Sequence, residues 1–378
     1  MKNLICTFFL ISFGVNSYCQ ISNFKEKFIL PDQVNETSGL IFYNDKIITH
    51  NDSGDAANLY EIDSLTGNIS RTININNATN VDWEDITQDE THIYIGDFGN
   101  NNGNRTDLKI YKILKQQFVN STSLSAEVIS FSYEDQTDFD SSNDHNFDAE
   151  SLVVFRDNLL IFSKNRGDLK TNVYLIPKIT GNYSATKVST FNAEGLITGA
   201  TYNLGDDSFM LSGYSSSGNP FLLYISHDRD SGNDIFNNGA VKIDLITEIG
   251  PSQIEGITFF DNERYYLSRE EVNVNGVNFP PKLYEFKSDF FSLLSIDKNL
   301  LYNQVIIYPN PTRSKVFLAF PEQEKIIKLK VFNSLGKNIH SKEKSKNEID
   351  LTTFPMGTYL LKIYLENKKS VVKKLIKL

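Results

Sequence analysis

A unit that recurs five times between residues 21 and 296 constrains this chain more than any other feature. Each copy is a small or acidic residue, a short apolar run, an acidic turn, a second apolar run and a polar loop. The copies are ETSGLIFYNDKIITHNDSG, VDWEDITQDETHIYIGDFGNN, FDAESLVVFRDNLLIFSKNR, LITGATYNLGDDSFMLSGYSS and QIEGITFFDNERYYLSREE. A third run follows each (NLYEID, LKIYKI, NVYLIP, FLLYIS, KLYEFK), and a fourth follows all but the last (ISRTINI, AEVISFSY, TKVSTF, AVKIDLI). Aligned on Ser38, Glu84, Glu150, Thr198 and Glu255, the unit returns every 46 to 66 residues. Four short strands at about that period mark a β-propeller blade. The predicted body is therefore all-β, a five-bladed β-propeller over residues 20–298. The last copy lacks a fourth run, and NFKEKFILP at 23–31 supplies it. Pairing the chain ends in this way closes the ring and leaves no open edge. Six blades are the alternative, with the extra one in the insert 132–147 or after Phe286.

The first strand of each propeller blade lines the central channel, so Ser38, Glu84, Glu150, Thr198 and Glu255 are expected to converge on one axis. Like charges ~4 Å apart cost about 4 kcal/mol per pair at an effective dielectric of ~20. Either their pKa values rise or a cation sits among them. Carboxylate and hydroxyl oxygens without His or Cys are hard ligands, which favour calcium. Glu36, Asp82 and Asp148, two residues upstream, form a candidate second acidic ring. The competing reading has these acids bonding backbone amides at strand ends.

Loops leaving the second strands gather on one face. They carry Asn51, Asp52, Asp97, Asn100, Asn101, Lys164, Arg166, Ser212, Tyr214, Arg269 and Glu270. Acids able to hold a metal stand beside bases able to hold an anionic group. Asp52 or Asp97 orienting water, with Lys164, Arg166 or Arg269 stabilising phosphate charge, would serve metal-assisted phosphoester hydrolysis. A solvated polar rim is the plainer reading. The Ser38, Glu84, Glu150, Thr198 and Glu255 series resembles the blade openings of the calcium-activated nucleotidase (apyrase) family, with Thr198 in place of a serine. The turn His50-Asn51-Asp52-Ser53-Gly54 and the bases Lys164 and Arg166 are similar as well. That resemblance implies a central calcium and nucleotide hydrolysis. The end of the second blade, Gly96 to Asn101, departs from the family pattern.

The Asp-rich insert 134–148 lacks the glycine and terminal glutamate of an EF-hand, so a mobile acidic loop is expected there, with a peripheral calcium site as the alternative. Trp83 either stacks a ligand at the mouth or packs internally. The chain has no G-x-S-x-G, H-E-x-x-H, Walker A or G-x-G-x-x-G motif, so serine-type and zinc catalysis are poorly supported.

The two ends of the chain concern its destination. MKNLICTFFLISFGVNSYCQ has a basic start, an apolar run from Leu4 to Val15, and small residues Ser17 and Cys19 before Gln20. It predicts a signal peptide over 1–19; lipidation of Cys19 is the alternative, into which bulky Tyr18 fits poorly. Both cysteines of the chain lie in this segment, so a processed chain has neither disulfides nor thiolate metal sites. No stretch is apolar enough to span a bilayer. The net charge is −10, yet residues 303–378 hold 15 Lys+Arg against 6 Asp+Glu, leaving 22 against 41 elsewhere. An acidic body of that kind repels polyanions, so nucleic acid is not an expected partner.

Residues 303–378 read as short strands separated by turns, a small antiparallel sandwich of the immunoglobulin-like kind. They carry Tyr308-Pro309-Asn310-Pro311, a strand-turn from Lys330 to Gly336, the run DLTTFPMGTYLLKI and a basic tail. In this order they resemble the type A C-terminal sorting domain of proteins exported by the type IX secretion system of Bacteroidota. The resemblance implies recognition by the outer-membrane translocon, proteolytic removal, and a secreted or cell-surface protein. The expected function is a monomeric extracellular propeller that binds a glycan, peptide or nucleotide-like ligand at a calcium-supported channel mouth. A calcium-dependent phosphoester or nucleotide hydrolase is the alternative.

Overall fold

The structure, a computed structural model, describes residues 21–205, 207–227, 232–261, 263–274, 276–288, 305–319, 326–333, 338–343, 348–365 and 370–378. The segment expected to be the signal peptide lies outside the described residues. The chain divides into two compact units, residues 1–289 and 290–378.

The larger unit opens with β1 (Ile21–Ile29). Four antiparallel strands then make the first repeat: β2 (Thr37–Tyr43), β3 (Lys46–Asn51), β4 (Asn58–Asp63) and β5 (Ile69–Ile75). The second repeat holds β6 (Trp83–Gln88), β7 (His92–Asp97), β8 (Lys109–Leu114), the short β9 (Ser123–Leu124) and β10 (Glu127–Tyr133). The third is β11 (Ala149–Phe155), β12 (Asn158–Ser163), β13 (Thr171–Pro177) and β14 (Gly181–Phe191). The fourth is β15 (Leu196–Asn203), β16 (Ser208–Tyr214), β17 (Pro220–Ser226) and β18 (Val241–Asp244). The fifth has β19 (Ile254–Asp261), β20 (Arg264–Arg269), the hairpin β21 (Val272–Val274) and β22 (Val277–Phe279), and β23 (Lys282–Ser288). Its fourth strand comes from the other end of the chain, for β1 pairs antiparallel with β23. The insert 134–148 contributes no strand. Among the described residues, short α-helices at Lys115–Asn120 and Ile246–Ile249 and a 3-10 turn at Asp32–Val34 interrupt the β-structure.

Burial explains the order of strands within a repeat. First and second strands are buried along most of their length, as in β11 and β12. Fourth strands alternate, as in β5 and β10, and show one face to water. The first strands are neighbours in a closed cycle, β2–β6–β11–β15–β19 and back to β2. Apolar cores fill the space between successive sheets: Ile41, Ile48, Trp83 and Ile95 between the first and second, Val153, Phe162, Phe209 and Leu211 between the third and fourth. Trp83 is fully buried against His50, so it packs and does not reach the mouth. In the first three repeats the outer edges are covered too. β10 pairs in parallel with β14, joining the second and third repeats in one eight-stranded sheet, and β9 pairs in parallel with β5.

Asp89 ties the turn between β6 and β7 to the third repeat. Its carboxylate accepts from the backbone amides of Thr91 and His92 at 2.8 Å, from the Tyr94 hydroxyl at 3.0 Å, and from Lys178 Nζ at 3.2 Å. Burial works against the charge, but these donors hold its pKa below the ordinary 3.8. A depressed carboxylate stabilises the fold fully above the unfolded pKa and loses that contribution as pH falls through the folded one. Asp89→Asn is therefore expected to cost about 2–3 kcal/mol at pH 7, with the deficit shrinking below pH 3.8. Urea denaturation at several pH values measures it.

The smaller unit is two antiparallel sheets on one core. β24 (Ile306–Tyr308), β25 (Lys315–Ala319) and β28 (Glu348–Asp350) make one sheet. β27 (Asn338–Glu343), β26 (Ile326–Phe332), β29 (Gly357–Leu365) and β30 (Ser370–Lys377) make the other. Val316, Leu318, Leu329, Val331, Leu361 and Ile363 fill the space between them.

Candidate functional site

The five aligned residues occupy equivalent places near the start of β2, β6, β11, β15 and β19. All are buried: Ser38 3%, Glu84 3%, Glu150 3%, Thr198 1% and Glu255 6% exposed. The residue after each is small or short: Gly39, Asp85, Ser151, Gly199 and Gly256. Close approach of successive first strands demands this. A methyl group on Gly256 would lie 2.6 Å from Leu40 Cγ and closer still to the Ser38 carbonyl. One on Gly199 would lie 2.6 Å from Ser212 Oγ and closer to the Glu255 carbonyl. In the second repeat the place is taken by Asp85, whose carboxylate accepts from the amides of Ile86 and Leu152, both at 2.8 Å, and so links β6 to β11. The hydroxyls of the set also bridge: Ser38 Oγ donates to the Glu84 carbonyl and Thr198 Oγ1 to the Ile254 carbonyl at 2.5 Å. This small-residue column is not visible as a motif in the chain, although each member follows an aligned position directly.

A second layer comes from the ends of the second strands, and register decides which residues join it. Asn51, Asp97, Ser163, Gly213 and Arg269 pair with the residue before each aligned position. One residue further along the strand the side chain turns to the other face. Those next residues are Asp52, Phe98, Lys164, Tyr214 and Glu270. Phe98 leaves the layer for the core, and Gly99 follows it. Asp52, Lys164, Tyr214 and Glu270 join the carboxylates of the first layer. Asp97 and Arg269 have other partners: Asp97 takes Arg105 Nη2 at 2.9 Å, and Arg269 Nη2 donates to the Pro280 carbonyl at 3.0 Å. Arg166 is held by Asp148 at 3.1 Å and by Asn101.

Electrostatically the centre is six carboxylates about one lysine. Lys164 Nζ lies 2.8 Å from Glu150 Oε1 and 5.5 Å from the centre of the Tyr214 ring. Burial, then Glu150, Asp52 and Asp82, push Glu84 well above the carboxylate range. Glu255 is raised likewise, by burial against the pull of Lys164. Glu150 rises to about 7 through burial, tempered by Lys164. Asp52 rises to about 7 through burial and Asp82, Asp82 to about 6 through burial, Glu150 and Asp148, and Glu270 to about 7 through burial and Asp52. Lys164 is itself raised, its acidic neighbours outweighing its burial. Part of the role expected of a metal ion, neutralising Glu150, is thus filled by an ammonium group.

Among the described residues, the carboxylates with ligand oxygens all within 4.8 Å of one another are Asp52, Asp82 and Glu84. Glu84 Oε1 is buried and has no hydrogen-bond partner in the protein; Glu255 Oε2 shares that condition. The Glu84 and Asp82 oxygens pack against Gly99, where a methyl group would sit 2.5 Å from Asp82 Oδ2 and closer to Glu84 Oε1, so any side chain there would displace them. Asp82, expected in a second ring, and Asp52, expected on the rim, are both brought by the fold to Glu84. The insert 134–148 is tied in: Gln136 Nε2 donates to the Gly103 carbonyl at 2.7 Å, and Asp148 accepts from the Asn100 amide at 2.8 Å. A separate open cavity of about 490 Å³ lies at the outer edge of the fifth repeat, lined by Phe24, Lys25, Arg264 and Glu285 among others. Its charges pair with one another, Lys25 and Arg264 both with Glu285; the acidic centre is the better candidate site.

Residues 306–378 match the family described as "Secretion system C-terminal sorting domain". The chain accordingly carries a type IX sorting tail and is a secreted or cell-surface protein. No helix among the described residues is long and apolar enough to cross a membrane. A search of curated proteins finds no match. Solved structures similar to the chain include PorZ, a surface component of the type-IX secretion system of Porphyromonas gingivalis, at 11% identity and a TM-score of 0.37. That likeness covers 90% of this chain and 45% of PorZ, so the chain spans less than half of PorZ. An exo-β-1,3-galactanase from Phanerochaete chrysosporium is similar at 9% identity and a TM-score of 0.44, covering 94% of both chains. The extracellular domain of BT4673 from B. thetaiotaomicron is similar at 9% identity and a TM-score of 0.32, covering 94% of this chain and 59% of that one. None of these likenesses carries weight for the site.

Proposed function

We propose that residues 20–298 form a five-bladed β-propeller that follows a removable signal peptide at 1–19 and precedes an immunoglobulin-like sorting domain at 303–378. Its acidic mouth holds a calcium ion and uses it to bind an extracellular ligand. The ring of first strands and the β1–β23 closure support five blades. The observation that carries the functional reading is the trio Asp52, Asp82 and Glu84, with a buried, unpartnered Glu84 oxygen packed against Gly99. Hard oxygen donors of that kind fit calcium. Three carboxylates leave half or more of its six to eight positions for water or ligand oxygens, which suits a sugar hydroxyl, a peptide carboxylate or a phosphate. The remaining members of the aligned ring, Ser38, Glu150, Thr198 and Glu255, shape the floor beneath, with Lys164 balancing Glu150.

Binding stands ahead of hydrolysis because Lys164 and Arg166, the bases a phosphoryl group would need, are both ion-paired to carboxylates. An ion that binds only the folded state stabilises it by mass action, about 2.7 kcal/mol at a hundredfold excess over Kd. Millimolar calcium is therefore expected to raise the melting temperature of the purified chain by several degrees over the chelated sample. Glu84→Gln is expected to remove most of that rise, and an equal melt with calcium and chelator would end the reading. Release of phosphate from nucleotides by the calcium-loaded chain, lost in Glu84→Gln, would favour the hydrolase instead.

A further inference from the structure

The sorting domain has a sheet face that its own fold does not use. In β26, β29 and β30 the residues Leu329, Val331, Leu361, Ile363, Val371 and Leu375 point into the core. The alternate residues lie on the opposite face, and the register sets them in rows: Lys328 beside Tyr364, then Lys330–Lys362–Val372, then Phe332–Leu360–Lys374. Leu360 is 45% and Val372 44% exposed. The ammonium groups of Lys330 and Lys362 lie over the Tyr364 ring, 5.6 and 5.2 Å from its centre. Among the described residues no carboxylate pairs with Lys330, Lys362 or Lys374. By register Glu343 on β27 lies opposite Lys328.

We propose that this face is a docking surface for an anionic lipid membrane. Lysines on a solvated sheet normally stand among acids, and apolar residues on such a sheet are normally inward. Here Lys330, Lys362 and Lys374 share one sheet face with the exposed Leu360 and Val372 and the half-buried Phe332 and Tyr364. Lysine stems can lie along apolar surface while their charges meet an anionic layer. That combination matches a bilayer interface with phosphate headgroups: the lysines meet anionic lipid and Leu360 and Val372 enter the headgroup boundary. An acidic protein groove would satisfy the lysines while leaving the apolar side chains without a role.

The test uses the full chain and vesicles of phosphatidylcholine with or without one-third phosphatidylglycerol, read by co-sedimentation. Binding to the anionic vesicles alone is expected, falling at least tenfold at 0.5 M salt. Neutralising two of the lysines, in Lys330→Gln with Lys362→Gln, is expected to weaken it about 30-fold. Leu360→Ser is expected to weaken it severalfold. Should the double variant melt abnormally, Lys374→Glu, at an exposed position, provides the same readout. No binding, equal binding to neutral vesicles, or binding unmoved by these variants would overturn the proposal.

Discussion

Lys164→Met is expected to destabilise the larger unit by about 3–5 kcal/mol at neutral pH, the usual cost of leaving one partner of a buried ion pair alone. Lys164 is 5% and Glu150 3% exposed, so water cannot replace the lost partner. Glu84, Glu255, Asp52 and Glu270 lose the same counter-charge. Methionine keeps most of the volume, which separates charge from packing. The cost is expected to fall by more than half in a Glu150→Gln background, because the neutral amide no longer needs a cation. A double-mutant cycle by urea denaturation measures the coupling. A Lys164→Met cost below about 1 kcal/mol would mean that the acids are already neutral without it.

Gly256→Ala is expected to be as damaging by a different route. The added carbon would meet the backbone carbonyl of Ser38 and lie 2.6 Å from Leu40 Cγ. Backbone cannot move aside as a side chain can, so β19 and β2 would have to separate where the acidic residues converge. A loss of at least 3 kcal/mol, or failure to accumulate folded protein, is expected. Gly54→Ala is the control. That glycine has φ +85° with nothing within 4 Å of an added carbon, so the change costs about 1 kcal/mol of backbone strain alone. Equal costs at the two positions would contradict the close-packed ring.

Much of this was legible in the chain itself. Apolar runs at a regular period reveal the strands, because the first two strands of each repeat are buried on both faces. The unpaired run at 23–31 pointed to its partner because the fifth repeat lacked a strand. Aligning the repeats found Glu84, Glu150 and Glu255, since equivalent places in equivalent units share one environment. The mouth was harder. Asp97 and Arg269 look as eligible as Asp52 and Lys164, but a one-residue difference in register sends their side chains elsewhere. Gly99 carries no chemistry of its own, and only the three-dimensional path shows two carboxylates packed against it. A lysine serving as the partner of Glu150 is equally invisible to spacing, because its sequence distance from that glutamate reflects a hairpin and says nothing of charge balance.

Anomalous diffraction from crystals of the full chain soaked in manganese, a stand-in for calcium, tests the central claim most directly. A peak within coordination distance of Asp52, Asp82 and Glu84 is the predicted result. A peak displaced to Glu150 and Glu255 with Lys164 swung away, or no peak among these acids at millimolar metal, would contradict it.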